Sequence, residues 1–174
     1  MTEFTHLDQE GRLRMVEVGD KPETRRTAAA SCRVVVGPRV FPLLLEGTLP
    51  KGDVWAAARL AGIMAAKNTA QLIPLCHSLP LTGIDIEFFP EPQDCAVTIR
   101  SKVRTYARTG VEMEALTAAA VAALTIYDMC KAVDRGLVIQ ELLLLEKSGG
   151  VRGDYRHPDL ASDNASPLEQ AGVK

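Results

Sequence analysis

Aromatic side chains are scarce, at 5% of 174 residues with a single tryptophan. That scarcity leaves no stacking platform for single-stranded bases. The basic excess of a dedicated nucleic-acid binder is also missing: 20 Lys and Arg stand against 22 Asp and Glu, a formal net charge of −2. The four cysteines, Cys32, Cys76, Cys95 and Cys130, include no C-x-x-C pair, and their spacing fits no zinc-ligand pattern. Reduced, structural thiols are therefore expected. The first residues carry no apolar run of the kind a secretory signal needs, so a cytoplasmic location is the default expectation. No apolar stretch is expected to reach the length that spans a bilayer.

What the chain does contain is aliphatic. Hydrophobic residues make up 47% of it, mainly Ala, Leu, Val and Ile, and charged residues 24%. This is the balance of a globular protein, and the length favours one domain. Small apolar side chains in such numbers predict helices packed at close range. Residues 1–150 are expected to hold the domain, opening on a flexible N-terminal segment, and 151–174 to be a polar, disordered tail.

Along the chain, only Met15–Val18 of the first stretch could pair as a short strand. Thr27–Val36 reads as a strand with a β-branched end. A short helix is expected over Val40–Glu46, with Pro38 at its first position and Gly47 as its stop, although Pro42 sits awkwardly inside it. Asp53–Lys67 predicts a clear helix with an apolar stripe of Leu60, Ile63 and Met64. Two prolines, Pro74 and Pro80, hold the following segment as a constrained loop. Leu81–Phe89 and Cys95–Thr105 predict a hairpin. Glu112–Arg135 predicts the longest helix, ending at Gly136 and apolar round most of its circumference. It should be covered by a sheet and by another subunit. Leu137–Leu145 predicts the last strand. The order β, α, β, β, α, β is the split βαβ, or ferredoxin-like, arrangement. It is an α+β fold with an antiparallel sheet and both helices on one face, here with short extra N-terminal elements.

Polar residues set in apolar context mark the candidate chemistry. Lys51 and Gly52 precede a helix start, where main-chain N–H groups favour anions. His77, between Cys76 and Ser78, is the single histidine of the folded middle. Glu112 and Glu114 open the longest helix but point about 200° apart on a regular helix, so either the first turn is irregular or one carboxylate serves a pocket and the other braces a subunit contact. Asp128 and Lys131 can touch across one turn, and a partly buried pair of this kind supplies a proton donor and acceptor. Glu114 and Asp128 share a helix face but lie about 21 Å apart, too far for one small-molecule site within one subunit. Lys147, in Lys147-Ser148-Gly149-Gly150, ends a strand in what reads locally either as a flexible cationic loop suited to phosphate or as a plain boundary linker. Lys51, Lys131 and Lys147 with Arg25 and Arg26 are cations for a polyphosphate. His77, Glu112, Glu114 and Asp128 are acid–base groups.

Five segments together resemble the MoaC family: Lys51-Gly52-Asp53-Val54, Leu60-Ala61-Gly62-Ile63, Leu72-Ile73-Pro74-Leu75-Cys76-His77, Thr109-Gly110-Val111-Glu112-Met113-Glu114-Ala115-Leu116-Thr117 and Thr125-Ile126-Tyr127-Asp128-Met129-Cys130-Lys131-Ala132-Val133. Lys147-Ser148-Gly149-Gly150 continues the match. The resemblance runs from about Met15 to Asp154. It implies a lyase, a cyclic pyranopterin monophosphate synthase, at the second step of molybdenum cofactor biosynthesis. Its substrate would be 3′,8-cyclo-7,8-dihydro-GTP, made upstream by a radical-SAM GTP cyclase, and pyrophosphate would be released.

The resemblance further implies a ferredoxin-like fold and a homohexamer, a trimer of dimers with active sites at subunit interfaces. It implies no membrane or nucleic-acid partner and no resident metal or cofactor, with Mg²⁺ at most a companion of the substrate triphosphate. On matching positions, Asp128 takes the catalytic aspartate's role and Lys131 works with it. Lys51, His77, Glu112, Glu114 and Lys147 take other active-site positions. Leu75, Cys76, His77, Met113 and Glu114 contact substrate, while Lys51 and Lys147, with Arg25 and Arg26, hold the triphosphate. Four departures bear on phosphate contacts more than on the chemistry. Ser78 replaces a usual proline, Glu17 a frequent Asp, Asn68 a common Arg, and Val151-Arg152 a basic-Ser pair. Two rival readings are a non-catalytic nucleotide-binding hexamer and an RNA-binding ferredoxin-like domain. The retained Lys51, His77, Asp128 and Lys131 oppose the first. The scarcity of strand aromatics and the charge oppose the second.

Overall fold

The computed structural model describes residues 7, 8, 10–150 and 153–158. Its main elements are β1 (Thr24–Val35), α1 (Phe41–Glu46), α2 (Val54–Lys67), α3 (Thr69–Leu72), β2 (Leu81–Glu91), β3 (Ala96–Ala107), α4 (Glu112–Cys130), β4 (Val138–Ser148) and β5 (Tyr155–Arg156). The sheet runs β2-β3-β1-β4-β5, with every neighbouring pair antiparallel. The first four strands give the expected split βαβ order. β5 lies in the segment read as a polar tail, where residues 155 and 156 pair with Lys147 and Glu146.

Alternation on β1 places Ala28, Ala30, Cys32 and Val34 under the helices, all fully buried. Opposite them on β3 stand Val103, Ser101, Ile99 and Val97. The Ser101 hydroxyl donates to the Ala115 carbonyl at 2.7 Å and ties this strand to α4. α4 crosses β1, β3 and β4, and α2 lies against α4 and β2. Burial pushes the Cys32 and Cys130 thiols up to about 11, as structural thiols require, and all four cysteines are free.

The alanine surplus is used where α2 meets α4. Ala115, Ala118, Ala119, Ala122 and Ala123 of α4 are fully buried, and Ala58, Gly62, Ala65 and Ala66 face them or the sheet from α2. At Gly62 a Cβ would sit 2.8 Å from the Ala118 carbonyl oxygen and would overlap the Ile86 methyl. We expect Gly62→Ala to cost about 1–3 kcal/mol in urea denaturation, because the main chain of α4 cannot step aside as a flexible side chain would.

Several expectations need correction. Leu60 and Met64 do not point inward: they are 60% and 55% exposed, because the close helix contact admits only small residues. α1 begins at Phe41 with Val40 as its N-cap, so Pro42 falls in the first turn, where its missing N–H costs nothing. Gly47 stops that helix at φ 67°. α4 ends at Cys130, not Arg135. Beyond it the Tyr127 hydroxyl donates to the Arg135 carbonyl, and Asp134 accepts the Gly136 N–H at 2.8 Å, which folds the chain into a turn. Met15–Val18 joins no strand. α4 is also, by length and composition alone, apolar enough to cross a bilayer, although it packs here as a core helix. Val151 and Arg152, and the tail beyond residue 158, lie outside the described residues.

Candidate active site

Local chemistry explains how the His77 loop is held. Pro74 and Pro80 bar helix between α3 and β2, and the Thr105 hydroxyl donates to the Pro80 carbonyl at 2.7 Å, pinning the loop's end to β3. The loop closes one wall of a pocket of about 400 Å³, to which it contributes Leu75, Cys76 and His77. The opposite walls come from Glu112, Met113 and Glu114 at the start of α4, from Lys147 and Gly149 at the end of β4, and from Arg26 on β1. One pocket thus gathers every residue expected to contact substrate apart from Lys51 and Arg25. Arg25 points to the other face of the sheet, exposed and opposite Tyr106.

Glu112 and Glu114 both line this pocket, contrary to the expectation from their helical spacing. The first turn reconciles them: Glu114 turns inward and is 4% exposed, while Glu112 reaches sideways to Lys147, with Oε1 3.1 Å from Nζ. Burial, and then the charge of Glu112, push the Glu114 carboxyl up to about 7. Burial, followed by the charge of Glu114, also raises the Cys76 thiol. His77 Nε2 donates to the Val16 carbonyl at 2.9 Å. Arg26 donates to the Ala107 and Arg108 carbonyls at 3.3 and 3.2 Å, which fixes the guanidinium without neutralising it.

The raised carboxyl of Glu114 has a thermodynamic signature. A folded-state value above the ordinary 4.5 means that the native protein binds the proton more tightly between about pH 4.5 and 7, so stability falls as pH rises through that window. Glu114→Gln removes the ionisable group. It should unfold at higher urea than the parent near pH 8, by up to about 3 kcal/mol, and the gap should close toward pH 4.

The second cluster lies at the other end of α4. Asp128 accepts from Lys131 Nζ at 2.6 Å and from Lys51 Nζ at 2.9 Å, and Lys51 also donates to the Asp128 main-chain carbonyl at 2.8 Å. Lys131 first and then Lys51 hold the Asp128 carboxyl well below the usual range, at about 2. It is therefore a carboxylate throughout the neutral range. Lys51 reaches it because Gly52, at φ 88°, turns the chain just before Asp53 caps α2 by accepting the Ala56 N–H at 3.0 Å. The partly buried pair expected from the sequence is instead open: Lys51, Asp128 and Lys131 are 41%, 55% and 51% exposed. Lys131 sits where the helix has already ended, so no neighbouring turn covers it.

The candidate residues therefore form two half-sites, separated along α4 by about 21 Å. Among the pocket's residues, the sequence reading missed Val16, Val18 and Lys21 from the N-terminal segment, and Arg108, Thr109 and Gly110 before α4. The alternating Val16 and Val18 was a usable signal, but nothing local marked Lys21 or Arg108.

Comparison with known proteins bears on the same residues. The sequence profile of the MoaC family matches residues 15–150, a span that includes both half-sites. The chain is 57% identical over 159 residues to the cyclic pyranopterin monophosphate synthase of Thermomicrobium roseum, covering 91% of this chain and 96% of the relative. It is 58% identical over 155 residues to the proteins of the same name in Herpetosiphon aurantiacus and Pelotomaculum thermopropionicum. Those alignments cover 89% of this chain, and 94% and 91% of the respective relatives.

Proposed function

The chain belongs to the MoaC family, and from that premise we propose that it works as its relatives are named, as a cyclic pyranopterin monophosphate synthase. It is a lyase of molybdenum cofactor biosynthesis. It converts 3′,8-cyclo-7,8-dihydro-GTP to cyclic pyranopterin monophosphate and releases pyrophosphate. The observation that carries the reading is the pairing of a lysine-bracketed Asp128 with a cationic pocket holding a buried glutamic acid.

The pocket suits a nucleotide-derived substrate. Leu75, Cys76 and Met113 give it apolar walls for the purine-derived ring, and Arg26 and Lys147 offer charge-assisted hydrogen bonds to the triphosphate. Glu114 titrates near neutrality, so it can both give and take a proton while that ring opens and rearranges. Asp128 stays ionised and acts as acceptor, with the Lys51 and Lys131 ammonium groups as the donors beside it. Cyclisation forms a bond from a ribose hydroxyl oxygen to the α-phosphorus and breaks the bond from that phosphorus to the bridging oxygen. Pyrophosphate leaves with the bond's electrons, and the hydroxyl proton passes to a base at the site. This chemistry calls on no resident cofactor.

The half-sites come together when a second copy supplies one of them. We place the active site between protomers of a homohexamer built as a trimer of dimers. The exposed Leu60, Met64, Leu72 and Leu124 on the helical side favour burial by further copies. Purified protein given the purified cyclic intermediate should release one pyrophosphate for each cyclic pyranopterin monophosphate formed. Intermediate left intact would refute the assignment.

A further inference from the structure

We propose that Thr105 and Arg104, neighbours on β3, are positioning residues of the active site: they clamp a bulge at the start of β2 and so set where residues 75–79, one wall of the pocket, stand. The inference rests on the functional reading above and deepens it. Pairing of β2 with β3 slips at this point by one residue. Leu81 stands opposite Thr105 but Gly83 stands opposite Arg104, so Thr82 is an extra residue, and it is exposed. Without the slip, Thr82 would take the inward place that Leu81 holds against the core. Everything upstream would then shift by one residue, about 3.3 Å along the strand. Leu75, Cys76, His77 and Leu79, which line the pocket, lie just upstream.

The bulge is held from both faces of the sheet. On the helical face Thr105 is 1% exposed, and its hydroxyl donates to the Pro80 carbonyl at 2.7 Å. A proline has no N–H to join the ladder, so the hydroxyl fastens this residue through its carbonyl. On the outer face the Arg104 guanidinium lies over Gly83, where a Cβ would sit 2.6 Å from Nη2. Asp85 keeps it there, with Oδ2 2.6 Å from Nη1. Neither Thr105 nor Arg104 lines the pocket, so each acts through the wall it places. A displacement of about 1 Å in such a wall is enough to cost turnover.

The chain carries its own reporters. Cys76 is half-buried in the wall, Cys95 is half-buried at the far end of the β2–β3 hairpin, and Cys32 and Cys130 are buried. Release of the wall should reach Cys76 alone.

The test labels the full-length protein with N-ethylmaleimide, reads each cysteine by peptide mass spectrometry, and follows steady-state turnover of the cyclic intermediate. Thr105→Val keeps the shape and removes the hydroxyl. Cys76 should then label about fivefold faster, with Cys95 within about twofold of the parent and Cys32 and Cys130 still protected, while kcat/KM falls about tenfold. Thr105→Ser, which keeps the hydroxyl, should restore both, and Arg104→Met should move Cys76 the same way as Thr105→Val. A Thr105→Val protein whose Cys76 labels at the parent rate overturns the proposal. So does one in which all four cysteines gain together, since the hydroxyl would then serve only the stability of the fold. A freed Cys76 with unchanged kcat/KM overturns it as well. A clamp that behaves as expected in a parent that leaves the cyclic intermediate unchanged would sink the functional reading instead, which keeps the two failures apart.

Discussion

An Asp128→Asn protein is expected to lose at least about 10³-fold in kcat while keeping the parent's melting temperature within a few degrees. Asparagine fills the same space, so the loss is one of charge and proton acceptance. The carboxylate now accepts hydrogen bonds from two ammonium groups, at 2.6 and 2.9 Å, and a neutral amide can neither hold both nor take a proton from substrate. The stability effect is small because all three side chains stand in water, where ion pairs contribute little. Single-turnover measurement of pyrophosphate release, beside a thermal melt, separates the two quantities. A variant that turns over substrate at nearly the parent rate would remove Asp128 from the chemistry.

Gly149→Ala should be the most damaging single methyl group in the molecule. Gly149 sits at φ 91°, a region that side chains avoid, and a Cβ there would overlap the Arg25 carbonyl oxygen of β1. Strain and overlap together should cost about 3 kcal/mol or more. The relief available to the chain is to peel the end of β4 away from β1, which carries Lys147 out of the pocket and away from Glu112. Activity should then fall by about 10²-fold in kcat/KM, beyond what unfolding explains. Gly153→Ala is the control. Its φ of 70° is also positive, but nothing lies within 4 Å of the added carbon. Its cost should stay near about 1 kcal/mol with activity retained. Equal damage from the two substitutions would mean that the contact with β1 is unimportant.

The strand order and the two main helices could be read from periodicity alone, because burial in this fold follows alternation on β2 and β3 and helix formers in α2 and α4. Residue contacts were harder to read. Leu60 and Met64 mark a helical stripe, yet the inward face went to Ala58, Gly62 and Ala65, since backbone approach outweighed side-chain size. The roughly 21 Å between Glu114 and Asp128 was legible from helical rise, because both residues fall within α4. The shared pocket of Glu112 and Glu114 was not, because an angle counted round the helix axis ignores how far a glutamate reaches at a helix start. The Lys147 segment reads locally as a flexible linker. Its order comes from pairing with β1 and β5 and from Glu112, partners distant in sequence. Lys21 was hidden for the same reason: the segment before it is held at Val16 and Gly19 by His77 and Arg108, far along the chain.

The proposed active site joins the pocket of one protomer to the lysine-bracketed aspartate of another. Its most direct test pairs two inactive proteins, Lys147→Ala in the pocket and Lys131→Ala beside Asp128. They are unfolded together and refolded as a mixture, then assayed for pyrophosphate release. If sites are shared between protomers, half of the random pairs carry one site with both halves intact, and activity should return to about a quarter of the parent level. A mixture as inactive as either variant alone, with mixed oligomers shown by mass spectrometry, would contradict the shared site and return both half-sites to a single chain.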